Sequence, residues 1–414
     1  MDLSQEQQQL RQAVREVSAR FPDKYWRELD AEKQYPQEFV EALTDGGWLS
    51  ILIPSEYGGA GLGMVEACIV LEEINACGGN AAACHAQMYT MGALLRHGNE
   101  EQKRRFLPEI AAGRLRLQSM AVTEPQAGSD TSRISTFARR DDAGYLVNGQ
   151  KIFTSRLQHS DLLLLLARTR RIEDVQKRTE GMSLFLVDLK QAGSSVEVRP
   201  IETMVNHETN ALYINDLRLP ADALIGEEGA GFRQVLDGLN AERILIASES
   251  IGDARWFIEK SVAYANQRVV FGRPIGANQG VQFPIARAHM HAEAASLVRW
   301  QAATRFDAGE PSGPHANMAK LLASEAAWEA AEVAMTTHGG SGMAVELGIE
   351  RKFREARLYL VAPVTNNLVT AYVAEHVLGL PRSYGGTAWQ TATPDATSRT
   401  SRWATCTVTR WDGL

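Results

Sequence analysis

Along residues 1–113 apolar side chains recur at three- and four-residue intervals, the spacing that gives a helix one buried stripe. Gly46-Gly47, Pro54 and the run Gly58-Gly59-Ala60-Gly61 interrupt the pattern, so several separate helices are predicted, with Trp48, Leu49, Ile51 and Leu52 buried. Asn99, ahead of Glu100 and Glu101, reads as an N-cap followed by acidic residues that suit the positive end of a helix dipole. From about residue 117 the period shortens to two. Strands are predicted at 134–139, 145–147, 162–168, 182–188, 196–200 and 211–219, with breaks at Asp141-Asp142-Ala143-Gly144, Asn148-Gly149 and Ala192-Gly193-Ser194. Asn148-Gly149 reads as a hairpin turn leading into a strand whose alternation places Phe153 and Ser155 on one face. From residue 232 the helical period returns in long runs, at 232–268, 284–306 and 316–337.

The fold class these patterns predict is α+β, mostly α. An N-terminal helical domain (1–117) precedes a central β-barrel or sandwich domain (118–225) and a C-terminal four-helix-bundle domain (226–384). Residues 385–414 are rich in Thr, Ser, Trp and Gly and lack any helical period, so a loosely ordered tail is expected there.

With 414 residues, 44% of them hydrophobic, the chain can bury a large core spread over two or three units. A net charge of −7 argues against nucleic acid or an anionic membrane as principal partner. The longest apolar run, 162–167, is far short of the roughly 20 residues of a membrane span. The opening M-D-L-S-Q-E-Q-Q-Q-L has neither a secretory apolar stretch nor an Arg-rich transit pattern, so the expected address is cytoplasmic. Cys68, Cys77, Cys84 and Cys406 fit no metal-ligand spacing, and no metal is predicted.

Two places carry candidate chemistry. In M-A-V-T-E-P-Q-A-G-S-D (120–130) an apolar strand breaks at Pro125 into a loop with Gln126, Gly128, Ser129 and Asp130. Such a loop can turn several backbone N–H groups and a hydroxyl toward one polar or anionic ligand. The second is Glu242. Val235, Leu239, Leu245 and Ile246 all fall within about 60° of it on a helical wheel, so this carboxylate interrupts an apolar face. Glu249, two turns on and about 10 Å away along the axis, is its internal rival. The glycine-rich run 226–231 does not follow a βαβ strand and reads as a linker, not as a dinucleotide loop.

The run 123–130 and the segment G-Q-K-I-F-T-S-R (149–156) together resemble the acyl-CoA dehydrogenase family, whose flavin segments read T-E-P-x-A-G-S-D and G-x-K-x-W-I-T-N. The first matches residue for residue. The second has Phe153 for Trp, Ser155 for Thr and Arg156 for Asn. The resemblance extends to Tyr384, nearly the whole chain, and implies bound FAD. It implies that Val122, Thr123 and Ser129 meet the flavin's pyrimidine edge and pyrophosphate, that Phe153 stacks on its ring and that Ser155 offers a hydroxyl near N5. Arg268-Val269-Val270-Phe271-Gly272 with Ile275 and Gln279 resembles R-x-x-F-G-x-x-I-x-x-x-Q. This implies that Arg268, Phe271 and Gln279 meet the adenosine half, partly across a subunit interface. Thr336 to Gly342 resembles Q-x-x-G-G-x-G with Thr336 in place of Gln, which adds Gly339 and Gly340 to the cofactor set. Thr365 joins them on the same grounds, and His338 is expected to be structural or at the flavin edge.

The implied reaction is α,β-dehydrogenation of an acyl-CoA, with electron-transfer flavoprotein as acceptor and a homotetramer or dimer as the assembly. Its catalytic carboxylate needs a dry pocket that lifts its pKa toward working pH. The family's usual position for that carboxylate falls on Pro363. A minority of the family carries it immediately before an arginine on the long helix, which here is Glu242 before Arg243. Ser129 and Arg243 are then expected on the substrate side. Pro363 also has no N–H with which to polarise the thioester carbonyl, and one such donor is worth roughly 3 kcal/mol in a transition state. Two other readings are the same fold running another flavin reaction on an acyl-CoA, an oxidation by oxygen or an elimination, and a non-enzymatic nucleic-acid-associated homologue. A basic C-terminal region would mark the latter, whereas the tail from Gly385 holds three arginines against two aspartates. The stretch 243–247, apolar nearly all round, is read as needing a neighbouring subunit to cover it.

Overall fold

The computed structural model describes residues 3–383, so the tail expected at 385–414 lies outside the described residues. Six helices come first: α1 (Gln5–Ser18), α2 (Asp23–Glu32), α3 (Gln37–Asp45), α4 (Met64–Ala76), α5 (Ala82–His97) and α6 (Glu100–Ala111). Asn99 caps α6 in a reciprocal pair with Gln102, at 2.8 and 3.0 Å. The Gln102 amide also donates to the carbonyls of Asp222 and Leu224, which ties α6 to the end of the β domain. Helices α4 and α5 are buried on most sides, because one face meets the other N-terminal helices while the other meets the C-terminal helices or the sheet.

Eight strands follow: β1 (Ser119–Ala121), β2 (Phe137–Asp141), β3 (Gly144–Ser155), β4 (Leu162–Arg168), β5 (Met182–Asp188), β6 (Val196–Pro200), β7 (Thr209–Leu219) and β8 (Leu224–Ile225), with a one-turn helix α7 (Leu189–Ala192) after β5. They form one sheet in the order β6-β7-β3-β2-β4-β5-β8, with β1 parallel to β4. The sheet does not close into a barrel. It folds over itself, so Leu163, Leu165 and Ala167 of β4 pack on Tyr145, Val147, Leu212 and Ile214. The alternate residues Leu162, Leu164 and Leu166 pack on Leu94, Leu107 and Ile110 of the helical domain. Burial on both faces explains why β4 is an unbroken apolar run instead of an alternating one.

Asn148-Gly149 is not the hairpin turn the sequence suggests. Strand β3 runs straight through it with a register irregularity, and the turn lies at Asp141–Gly144, where the Ala143 N–H donates to the Asp141 carboxylate at 3.0 Å. A side chain at 149 would place its Cβ 2.7 Å from Thr136 Cα, so close backbone approach, not turn geometry, demands this glycine.

The C-terminal part contains three long helices, α8 (Gly231–Gln267), α9 (Gln279–Asp307) and α10 (Gly313–His338), and the shorter α11 (Ile349–Leu358) and α12 (Asn366–Tyr372). A small hairpin of β9 (Val269–Val270) and β10 (Arg273–Pro274) joins α8 to α9. Gly231 starts α8 because a Cβ there would meet the Ser183 backbone at 2.7 Å. Along α8 every residue from Ala241 to Ala254 is buried, covered by α4, α5, α9 and α10 of the same chain. The inference that this apolar stretch needs a second subunit therefore fails, since one chain surrounds it. Ala316, Ala319, Ala323, Ala326, Ala327, Ala330, Ala331 and Ala334 line one side of α10, and their small side chains let α8 approach closely. No helix among the described residues is long and apolar enough to cross a membrane.

Candidate functional site

Where α5, α8 and the end of β3 converge, a cleft encloses about 740 Å³, part of it open to solvent. Helix α5 contributes His85 and Tyr89, α8 contributes Glu242, Ile246 and Glu249, and β3 contributes Phe153 and Ser155. The residues singled out as catalytic and as the flavin platform thus share one cavity. The Phe153 ring is 61% exposed and its φ is +59°, a conformation that non-glycine residues adopt at a cost and that here turns the ring into the cleft.

Glu242 is 7% exposed and its Oε2 has no hydrogen-bond partner. Burial raises its pKa from 4.5 to about 7, with Glu249 adding to the rise and His85 and Arg243 opposing it. Arg243 is also buried, and its guanidinium bonds Asn240 at 2.9 Å; it does not line the cleft. Near Glu249, His85 Nδ1 stands 3.1 Å from the carboxylate. Arg156, buried at the position of the expected Asn, reaches His207 Nδ1 at 3.1 Å, and burial together with this cation holds His207 neutral. Tyr359 closes the α11 side, its hydroxyl donating to Asp253 at 2.9 Å.

The two flavin-like segments are joined by an ion pair that sequence reasoning did not find. Lys151 Nζ donates to Glu124 Oε1 and to the Val122 carbonyl, each at 3.0 Å, with both side chains essentially inaccessible. Glu124 further accepts from the Ser135 and Thr136 N–H groups, at 2.6 and 2.9 Å. Burial lowers the Lys151 pKa to about 8 against the pull of Glu124. Thr123 lies beside this pair, its carbonyl accepting from the Ile152 N–H at 2.9 Å, and Ser129 is exposed on the loop that follows.

Other predicted cofactor residues lie outside the cleft lining. Arg268, Phe271 and Gln279 are exposed on the β9–β10 hairpin and the start of α9, with Phe271 wholly uncovered. Gly339 and Gly340 are exposed beyond α10, and Thr365 accepts from the Leu368 N–H as the cap of α12. His338 is buried against Tyr264 and donates through Nδ1 to the Ala334 carbonyl, a structural role. Pro363 follows Ala362, whose N–H is already bound to the Leu358 carbonyl. Sequence reasoning missed His85, Tyr89, His207 and Tyr359; a polar residue inside the otherwise apolar run A-A-A-C-H-A was the available signal for His85.

Three family models match the chain: acyl-CoA dehydrogenase N-terminal domain over residues 4–114, middle domain over 119–217 and C-terminal domain over 229–378. The acyl-CoA dehydrogenase FadE12 of Mycobacterium tuberculosis is 36% identical over 384 residues, which are 92% of this chain and 98% of that protein. The structure of glutaryl-coenzyme A dehydrogenase in complex with glutaryl-CoA superposes with a TM-score of 0.86 at 28% identity, covering 92% of this chain and 97% of that one. The FAD complex of PigA superposes with a TM-score of 0.85 at 25% identity, covering 92% and 99%.

Proposed function

Because this chain belongs to the acyl-CoA dehydrogenase family, we propose that it is a FAD-dependent oxidoreductase in which Glu242 removes the α-proton of an acyl-CoA thioester. The observation that carries this reading is the buried Glu242 carboxyl, raised to about 7, facing the same cleft as Phe153 and Ser155. The site suits the cofactor: a large aromatic face turned into the cleft, a hydroxyl two residues on, and a glycine- and serine-bearing loop held beside them by the Lys151–Glu124 pair. Bound FAD supplies the acceptor, at N5, for the hydride that leaves the β-carbon. Val122, Thr123, Ser129, Phe153 and Ser155 would hold the flavin ring and pyrophosphate. Arg268, Phe271, Gln279, Gly339, Gly340 and Thr365 would serve the rest, partly across a subunit interface.

Glu242 does the acid–base work. With a pKa near 7 it is about half ionised at neutral pH, yet basic enough to accept a proton from carbon. Tyr89 and Ile246 line the cleft beside it, and the burial of Glu242 itself sustains the raised pKa. With FAD bound as hydride acceptor, the α-proton would end on Glu242 and the acyl group would leave as the α,β-unsaturated thioester. Arg243 and Ser129 serve the substrate side. Since Pro363 has no N–H and the Ala362 N–H is occupied, the thioester carbonyl must be polarised by another donor.

We place this chemistry in a cytoplasmic homotetramer or dimer that passes electrons to electron-transfer flavoprotein, with domains at 1–117, 118–225 and 226–384. Assembly is supported by Phe283, Met290 and Leu297, spaced seven apart on α9 and each more than half exposed, and by the bare Val269 and Phe271 nearby. The test is to load purified protein with FAD and mix it anaerobically with a panel of acyl-CoAs. Bleaching of the flavin by at least one of them supports the reading; a protein that never retains FAD, or whose flavin no acyl-CoA reduces, contradicts it.

A further inference from the structure

The inner end of the cleft is unusually polar for a site that takes an acyl chain. Asn80, His85, Glu249, Glu355 and Tyr359 all line it. Three of these have partners elsewhere: Tyr359 bonds Asp253, Asn80 accepts from the Ala82 N–H, and Glu355 bonds Arg351 through Oε1 at 2.8 Å while its Oε2 faces the Lys352 ammonium at 3.4 Å. The His85–Glu249 pair is different. His85 is 6% exposed and Glu249 2%, and Nδ1 lies 3.1 Å from Oε1 without the alignment of a hydrogen bond. Both Glu249 Oε1 and the opposite imidazole atom, His85 Nε2, are left buried with no hydrogen-bond partner. Two such atoms within one buried pair are costly unless a ligand completes them, because nearly all buried polar groups in folded proteins are paired.

Their position says which part of a ligand they meet. Glu249 follows Glu242 by seven residues on α8, so the two share a face about 10 Å apart along the axis. A thioester with its α-carbon at Glu242 would send its acyl chain along that face toward His85 and Glu249. We propose that the acyl group carries a hydroxyl on its distal part, which the His85–Glu249 pair binds. This rests on the acyl-CoA dehydrogenation reading and adds the substrate class to it.

A hydroxyl suits the pair since its one O–H donates to the carboxylate oxygen while its lone pairs accept from the imidazole N–H. A bare methylene or methyl leaves both atoms unpaired in a desolvated pocket. A distal carboxylate would sit against Glu249, with Glu242 on the same helix face, where like charges repel most strongly.

The experiment uses FAD-loaded enzyme and a homologous series of straight-chain acyl-CoAs with the matched ω-hydroxyacyl-CoAs, reading the rate of anaerobic flavin bleaching. At the chain length that spans the cleft, the hydroxylated member should be favoured in kcat/KM by roughly 10- to 100-fold, the range of a hydrogen bond to a charged group. Glu249→Leu should bring that ratio near one, and His85→Phe should do the same should the first variant fold poorly. Unsubstituted chains that match or beat the hydroxylated ones at every length overturn the inference and leave the dehydrogenase reading standing. A ratio that survives both substitutions also overturns it. Flavin that neither series reduces would remove the underlying reading and this inference together.

Discussion

Replacing Glu242 by Gln should make the protein more stable at neutral and alkaline pH while disabling it. The carboxyl goes from 4.5 in the unfolded chain to about 7 in the fold, a rise caused chiefly by burial. A raised pKa means that the folded state binds the proton more tightly, so holding Glu242 ionised costs stability. The cost is absent below pH 4.5, grows between 4.5 and 7, and is complete above 7. At 1.36 kcal/mol per unit the full penalty is about 3 kcal/mol. Glutamine has nearly the same shape and never ionises, so the variant avoids that penalty, less whatever its own unmet amide hydrogen bonds cost. The assay is equilibrium urea unfolding of the FAD-loaded wild type and variant at pH values from about 5 to about 8, within the range where folded proteins are generally most stable. The difference should widen with pH and level off above 7. A difference that is constant with pH, or a variant that is less stable at the alkaline end, would refute the claim that Glu242 is a desolvated, partly protonated acid.

Two further outcomes follow from the packing. Lys151→Met strands the buried Glu124 charge, and although two N–H groups still support that carboxylate, a loss of about 3 kcal/mol and weaker FAD retention are expected in unfolding and flavin-release assays. The double variant with Glu124→Gln should recover part of the loss; recovery of none would show that the pair is not the cause. Met290→Glu puts a charge in the centre of the exposed α9 stripe and should shift sedimentation toward smaller species, whereas an unchanged assembly would exclude that face as the subunit contact.

Much of the fold is legible because local pattern and tertiary role agree. The β4, β5 and β6 ranges can be read directly from apolar runs between turn residues. Asn148-Gly149 misleads because the same dipeptide serves a hairpin turn or a bulge, and only the approach of Thr136 decides between them. The apolar girth of α8 does not reveal its cover, since burial inside one chain and burial between chains leave the same periodicity. Glu242 stands out as a carboxylate on an apolar helix face. The Lys151–Glu124 pair joins residues 27 apart and His85–Glu249 joins separate helices, so neither can be found by local spacing.

The central claim is that Glu242 takes the α-proton, and rapid mixing of FAD-loaded Glu242→Gln with an acyl-CoA that bleaches the wild type tests it most directly. FAD content and acyl-CoA binding should be retained, while the rate of flavin bleaching should fall by roughly 10²–10⁴-fold or more, the contribution of a general base. In the wild type that rate should rise with pH through the region near 7 where Glu242 ionises. Bleaching of the variant at the wild-type rate, with the same pH profile, would contradict the account and move the search to another carboxylate in the cleft.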